Sequence, residues 1–280
     1  MNMARQPLSI YPIRTATVLL RVGELSVLTD PWFGRVMSGR KVLRLPAIEV
    51  AELPSIDVVL ASHLHSDHFE LGAVAELARI NPELVVVGPQ GTAAFCRRAP
   101  HVRVLEMAPW QELAIHDVAI FAAPAKHTGP LPREINFVFE LGGWRCFFGG
   151  DALLSEHTHE IAQRCGQLDL AMLPVGGTEI WLRRTTMNPS DAVRACEALK
   201  PKFALGIHEG GEWPAMPPLS RHPGRRAEFD RLLTASSSPT QPIARAPGQW
   251  ARLEKLAGEG AAGEGAFGEG AVAGTQLTLL

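Results

Sequence analysis

Ala61-Ser62-His63-Leu64-His65-Ser66-Asp67-His68-Phe69 is the stretch on which the reading of this chain turns. Before it lies Ile56 to Ala61, apolar throughout apart from Asp57, the pattern of a strand buried on both faces. After it, Glu70 to Ile80 carries Leu71, Val74, Leu77 and Ala78 at helical spacing, and Asn81-Pro82 stops the helix. The motif therefore sits on a strand-to-helix turn. Three imidazoles and a carboxylate this close together make no sense in a core, where each needs a polar partner. They suit a divalent metal, because neutral imidazole nitrogen and carboxylate oxygen both ligate zinc and similar ions. On an extended turn His63 and His65 point the same way, while Asp67 and His68 swing round at the helix start to face a second ion.

One short motif cannot complete two coordination spheres, so further ligands are expected at other strand ends. His127 follows Ala122-Ala123-Pro124-Ala125-Lys126, Asp151 ends Phe147-Phe148-Gly149-Gly150, and His208 ends Phe203-Ala204-Leu205-Gly206-Ile207. Each alone reads as a structural residue; beside the motif, the three read as the rest of a ligand set. Asp30, which ends Leu25 to Thr29 and precedes Pro31, is either a residue that positions a ligand or a turn-forming Asp-Pro. His101, His116, His157, His159 and His222 have no companion ligand and are given no metal role.

The ordered set His63, His65, Asp67, His68, His127, Asp151 and His208 resembles the metallo-β-lactamase superfamily. Leu28-Thr29-Asp30-Pro31-Trp32-Phe33, Phe148-Gly149-Gly150-Asp151 and Leu173-Pro174-Val175-Gly176-Gly177 are similar to one branch of it, as is Met187-Asn188-Pro189 followed by a helix and Ile207-His208. That branch contains the ascorbate-phosphate lactonases and the N-acyl-phosphatidylethanolamine phospholipase D enzymes. The resemblance implies a four-layer αββα sandwich with the site at one edge between two sheets. It implies that His63, His65 and His127 hold a first metal, that Asp67, His68 and His208 hold a second, and that Asp151 bridges them. The ions would be zinc, with manganese or iron as alternatives. Catalytic roles fall to Asp67, which would orient the nucleophile, and His208. Two divalent ions roughly 3.5 to 4 Å apart share and acidify a water, and the resulting hydroxide attacks a carbonyl or phosphoryl centre. The expected reaction is hydrolysis of a small ester, lactone or phosphodiester. A metal-dependent nuclease and a non-catalytic metal-binding module are the alternatives on the same fold. His208 is followed by Glu209-Gly210-Gly211 where phospholipase-like members have Trp-Gly, which alters the pocket wall.

Composition sets the frame. The 280 residues, 46% hydrophobic and 20% charged, suffice for one large domain with a substantial core. A formal charge of -2 speaks against a nucleic-acid partner. No apolar run reaches the roughly 18 to 20 residues of a membrane span, and Met1 to Leu20 lacks the apolar stretch of a secretion signal. Cys96, Cys146, Cys165 and Cys196 lie far apart and read as free thiols, so a cytoplasmic location is expected.

Further strands are predicted at Thr17–Leu20, Leu25–Thr29, Leu84–Val87, Val102–Leu105, Val118–Ala122, Asn136–Leu141, Arg145–Phe148, Asp169–Leu173 and Phe203–Ile207. Helices are predicted at Pro189–Leu199 and Arg225–Leu233, and a last hairpin joins Ile243–Ala246 to Trp250–Leu253 across Pro247-Gly248. The hydrolase domain is expected to span residues 1–256. Residues 257–280, which open with the near-repeats AGEGA, AGEGA and FGEGA, are expected to be a flexible tail. Loops 31–46, 176–188 and 209–224 should frame the mouth. Their Trp32, Phe33, Trp181, Met187, Trp213 and Met216 suggest an apolar pocket wall and their arginines could hold an anionic group, which suits a small-molecule substrate with an apolar part. A homo-oligomer is compatible with all of this.

Overall fold

A computed structural model describes residues 6–99, 101–127, 134–217 and 219–255, and the backbone of Thr275–Leu279. Continuous apolar runs in this chain become strands because both of their faces are covered. In Val58–Leu60, Val58 and Leu60 point into a core shared by two sheets, while Val59 and the following Ala61 pack against helices on the other side. Phe137 and Phe139 alternate with Val138 in the same way on the second sheet.

The first sheet has the order Thr275–Leu279, Ala251–Lys255, Leu8–Arg14, Thr17–Val22, Leu25–Thr29, Val58–Leu60, Val85–Pro89, Arg103–Met107. Helices α1 (Leu71–Ile80) and α2 (Thr92–Cys96) flank it. The second sheet runs Gln241–Pro242, Phe203–Ile207, Leu170–Pro174, Trp144–Phe148, Ile135–Leu141, Val118–Pro124, Glu112–Ile115. Its outer face is covered by α3 (Glu156–Cys165), α4 (Pro189–Leu199) and α5 (Arg226–Ala235). The layers are therefore helix, sheet, sheet, helix, as the resemblance implied. Helix α1 buries Ala73, Val74, Leu77 and Ala78, as its spacing requires. Helix α4 opens with Pro189 behind Asn188, whose side chain accepts from the Asp191 N–H at 2.8 Å. The four cysteines are free and buried.

The expected last hairpin does not form. Gln241–Pro242 pairs in parallel with Phe203–Ala204 in the second sheet, whereas Ala251–Lys255 pairs with Leu8–Arg14 in the first. Pro247-Gly248 carries the chain from one sheet to the other, with the Gly248 N–H donating to the Pro12 carbonyl at 2.9 Å. Turn chemistry marks a change of direction; it does not specify which sheet receives the next strand.

The near-repeats from Ala257 to Ala271 lie outside the described residues. At the end of the stretch expected to be a tail, Thr275–Leu279 runs antiparallel to Ala251–Lys255. Its Thr-Gln-Leu-Thr-Leu alternation is a strand pattern that the overall composition of residues 257–280 masks. A chain ending at Lys255 would expose this sheet edge, and we expect it to melt a few degrees lower, about 1 kcal/mol less stable. An unchanged transition in thermal denaturation would show that the ladder contributes nothing.

Helix α5 carries a charge at a cost. Asp230 is half-buried, its Oδ1 has no hydrogen-bond partner, and burial pushes its carboxyl up to about 6. Because the native state holds this proton more tightly than the unfolded chain, stability falls as pH rises from about 4 to 6. Asp230→Asn should therefore match the parent below pH about 4 and exceed it by about 1 kcal/mol at pH 7, after allowance for solvent screening. Urea melts at the two pH values check both halves of this expectation.

Candidate metal centre

The strand Val58–Leu60 ends in a turn held by two hydrogen bonds to the His65 carbonyl, from His68 N–H at 3.0 Å and Phe69 N–H at 2.9 Å. The turn brings His63, His65, Asp67 and His68 to the edge where the two sheets meet. Asp30, at the end of the neighbouring strand, is 0% exposed and organises this turn. Its Oδ1 accepts from Ser62 N–H at 2.6 Å, and its Oδ2 accepts from Ser62 Oγ and from His68 Nδ1, both at 2.6 Å. Since Ser62 gives its proton to Asp30, its Oγ accepts from His63 Nδ1 at 2.9 Å. One carboxylate thus keeps the proton of two imidazoles on Nδ1 and turns Nε2 of each inward, that of His63 to His65 Nδ1 at 2.8 Å and that of His68 to Asp151 Oδ1. Of the two readings of Asp30, the geometry is that of the positioning residue.

His127, Asp151 and His208 arrive from the second sheet. His63, His65, His127 and Asp151 each offer a ligand atom, all within 4.8 Å of one another, and Asp67, His68 and His208 do the same. Asp151 joins the two groups: its Oδ1 lies 3.2 Å from His68 Nε2 and 3.1 Å from His208 Nε2. Asp67 Oδ2 lies 3.6 Å from His208 Nε2. Asp30 with His63 and His68 makes a third group of this kind, but both oxygens of Asp30 already accept hydrogen bonds. None of the groups among the described residues includes His101, His116, His157, His159 or His222.

Charge is arranged unevenly. Burial holds His63 well below the usual imidazole range and lowers His65 and His127, which keeps these rings neutral. Burial also acts on His68 and His208, but the carboxylates around them, Asp151 and Asp67 for both and Asp30 as well for His68, together outweigh it and raise both. Asp151, despite burial, is held well below the carboxylate range by His208 and His68. The buried atoms His68 Nε2, Asp151 Oδ1, and both Nδ1 and Nε2 of His208 have no hydrogen-bond partner. Converging buried donor atoms without partners fit cation binding, since a cation supplies the partner that each lacks.

One supporting residue escaped the sequence reading, and others named in it make contacts that it did not show. Glu134, buried, accepts from Asp151 N–H at 2.6 Å, and its Oε2 lies 3.3 Å from His127 Nδ1. It ties together two residues that arrive from different strands; a single Glu ahead of an apolar run gives no sequence signal. Gly150 makes room for this contact: with φ of 48°, a Cβ there would meet Glu134 Oε1 at 2.5 Å and Ser62 Cβ at 2.7 Å. Glu209, at the departure from the Trp-Gly pattern, accepts from Arg44 at 2.8 Å and from the Arg226 N–H at the start of α5 at 3.0 Å. It pins the loop after His208 on two sides. Trp213 then folds back, edge-on to His208 with ring centroids 5.6 Å apart. Trp32, Phe33 and Met187, read as pocket wall, are buried anchors instead; Arg14 stacks over Trp32 at 3.6 Å. His222, read as a loop histidine, packs 4.9 Å from Trp213, with Nδ1 3.1 Å from Thr178 Oγ1.

A family model described as a beta-lactamase superfamily domain matches residues 26–208. The chain belongs to that superfamily. An uncharacterised Mycobacterium tuberculosis protein is 31% identical over 193 residues, 64% of this chain and 52% of its own. An N-acyl-phosphatidylethanolamine-hydrolyzing phospholipase D of Caenorhabditis elegans is 26% identical over 219 residues, 70% of this chain and 62% of that protein. The chain thus spans about half the length of the mycobacterial relative. Among solved structures, a metallo hydrolase from the archaeon Ignicoccus hospitalis superposes with a TM-score of 0.69 at 16% identity, covering 88% of this chain and 98% of that one. At that identity the likeness concerns the fold. Among the described residues, no helix is long and apolar enough to cross a membrane.

Proposed function

We propose that this protein is a dinuclear metal-dependent hydrolase acting on a small ester, lactone or phosphodiester. The observation that carries the reading is the position of Asp151, whose carboxylate oxygen faces ligand nitrogens of both halves of the centre. His63, His65 and His127 would hold one ion, Asp67, His68 and His208 the other, and Asp151 both. Zinc suits this nitrogen-rich donor set, and manganese or iron would also be accepted. Such a pair of ions supplies an acidified water and polarises a carbonyl or phosphoryl oxygen.

The chain's own residues do the rest. Asp30 and Ser62 hold the imidazoles in the ligating tautomer, and Glu134 holds His127 and the Asp151 backbone together. Asp67, buried beside His208, is a carboxylate that can orient the attacking nucleophile and take up its proton. Trp213 gives the substrate an apolar wall beside His208. Support comes from the superfamily membership and from a relative named as a hydrolysing phospholipase. A small-molecule substrate and a cytoplasmic setting belong to the same proposal.

Two measurements test it. Elemental analysis of undenatured protein should give close to two divalent ions per chain. Metal-loaded protein should then hydrolyse at least one class among aryl phosphodiesters, lactones and thioesters. Metal content near zero after reconstitution with zinc, manganese and iron would overturn the reading.

A further inference from the structure

The strands Glu179–Ile180 and Arg183–Arg184 are joined by a two-residue turn, Trp181-Leu182. Both turn residues have left-handed backbones, with φ of 50° and 64°. Turns of this kind take Asn, Asp or Gly, because a large side chain crowds its own backbone there. Trp181 and Leu182 are the two most exposed large apolar residues described, at 69% and 72%, so packing within the protein does not offset the strain. Strain kept at an exposed position points to a role outside the fold.

The surroundings say what kind of role. Ile180 is also exposed, and Arg183, Arg184 and Arg221 of the adjoining strand Ser220–Arg221 surround the tip. A second projecting group lies on loop 35–45, where Val36, Leu43 and Leu45 are exposed among Arg35, Arg40 and Lys41. Backbone bonds tie both to the chain that follows His208: Leu43 N–H donates to the Glu212 carbonyl at 2.8 Å, and Ser220–Arg221 pairs with Glu179–Ile180. Both groups stand at the mouth of the candidate metal centre. Met37 Sδ lies 3.5 Å from Ser66 Oγ, and Thr185, next to Arg184, donates its N–H at 2.7 Å to the carbonyl of Thr178, whose Oγ1 lies 3.1 Å from His222 Nδ1 against Trp213. Arg35, Arg184 and Arg221 have carboxylate partners, whereas Arg40, Lys41 and Arg183 form no ion pair among the described residues.

We propose that this face docks the protein on an anionic lipid surface. Trp181 and Leu182 enter the boundary between headgroups and acyl chains, and Arg40, Lys41 and Arg183 pair with lipid phosphates. A chain of net charge -2 that gathers free cations round apolar tips is complementary to such a surface. Separate projecting tips suit a fluid layer that closes round each, and an indole with flanking arginines suits its polar boundary. The proposal rests on this surface alone and stands whether or not the centre hydrolyses anything.

The test uses the full chain and sedimentation with vesicles of phosphatidylcholine alone, or of phosphatidylcholine with phosphatidylglycerol. Binding to the anionic vesicles, reversed by salt, is expected. The double variant Trp181→Asn, Leu182→Gly installs the preferred turn residues, so its melting temperature should hold or rise. Its partition should fall about tenfold or more. Arg40→Glu with Arg183→Glu should reduce binding to anionic vesicles and leave the neutral ones unaffected. The proposal is overturned if the parent chain ignores anionic vesicles, or if the Asn-Gly variant binds them equally well. A concentration-dependent dimer that the same variant dissolves, without vesicle binding, would also overturn it by assigning the tips to a second copy of the chain.

Discussion

Asp151→Ala should abolish hydrolysis and lower the occupancy of both metal positions while the fold stays largely formed. The carboxylate lies between two groups of imidazoles and is the one negative charge shared by them. Two cations held close together repel each other, and a bridging anion reduces that repulsion as well as ligating. Losing it should therefore cost more than losing a terminal ligand. Replacing a residue that only orients a metal ligand costs about 10- to 100-fold in affinity or activity, and loss of a shared ligand should exceed that range. His208→Ala is the comparison: it should weaken the second position and leave His63, His65 and His127 loaded. The core strands do not depend on Asp151, so far-UV circular dichroism should be preserved. Metal content and turnover decide the matter. Two retained ions with near-normal turnover would reduce Asp151 to a strand-end turn residue.

The two halves of this centre differed in how openly the sequence displayed them. His63, His65, Asp67 and His68 are legible because strand, turn and helix are contiguous, so one local pattern places all four. His127, Asp151 and His208 come from separate strands of the other sheet; each alone looks structural, and only the motif beside them made their strand-end positions readable as ligands, with the division between two metals supplied by the resemblance to a family. Glu134, Trp213 and Glu209 matter through contacts that no spacing encodes: a carboxylate on a backbone N–H across the centre, an indole returning to a histidine five positions earlier, and an acid reaching both Arg44 and α5. Likewise, the alternation within Thr275–Leu279 is a local signal, but a neighbouring Gly-Glu-Gly tract outweighs it in any compositional window. The failed hairpin at Pro247-Gly248 has the same root, because the choice between sheets is made by distant partners, Ala204 on one side and Leu8–Arg14 on the other.

Asp30→Asn separates the two readings of that residue and should have the second largest effect. Asp30 lies in the left-handed region at φ 35°, which Asn tolerates as readily as Asp. A pure turn residue would therefore survive the exchange almost unchanged. The positioning role would not. The carboxylate accepts from Ser62 N–H, Ser62 Oγ and His68 Nδ1 with no solvent access. An amide has one oxygen to accept with, and its NH2 would face a donor, leaving a buried group unpaired at a cost of about 1 to 3 kcal/mol. His68 would lose the partner that keeps its proton on Nδ1, and His63 would lose the same control through Ser62. We therefore expect Asp30→Asn to unfold at lower urea concentration and to bind metal about 10- to 100-fold more weakly. Ser62→Ala touches only the relay to His63, so it should weaken the first metal position and spare His68. A variant Asp30→Asn with parental stability and full metal affinity would leave Asp30 as the turn residue of an Asp-Pro pair, and the tautomer control would have to come from elsewhere.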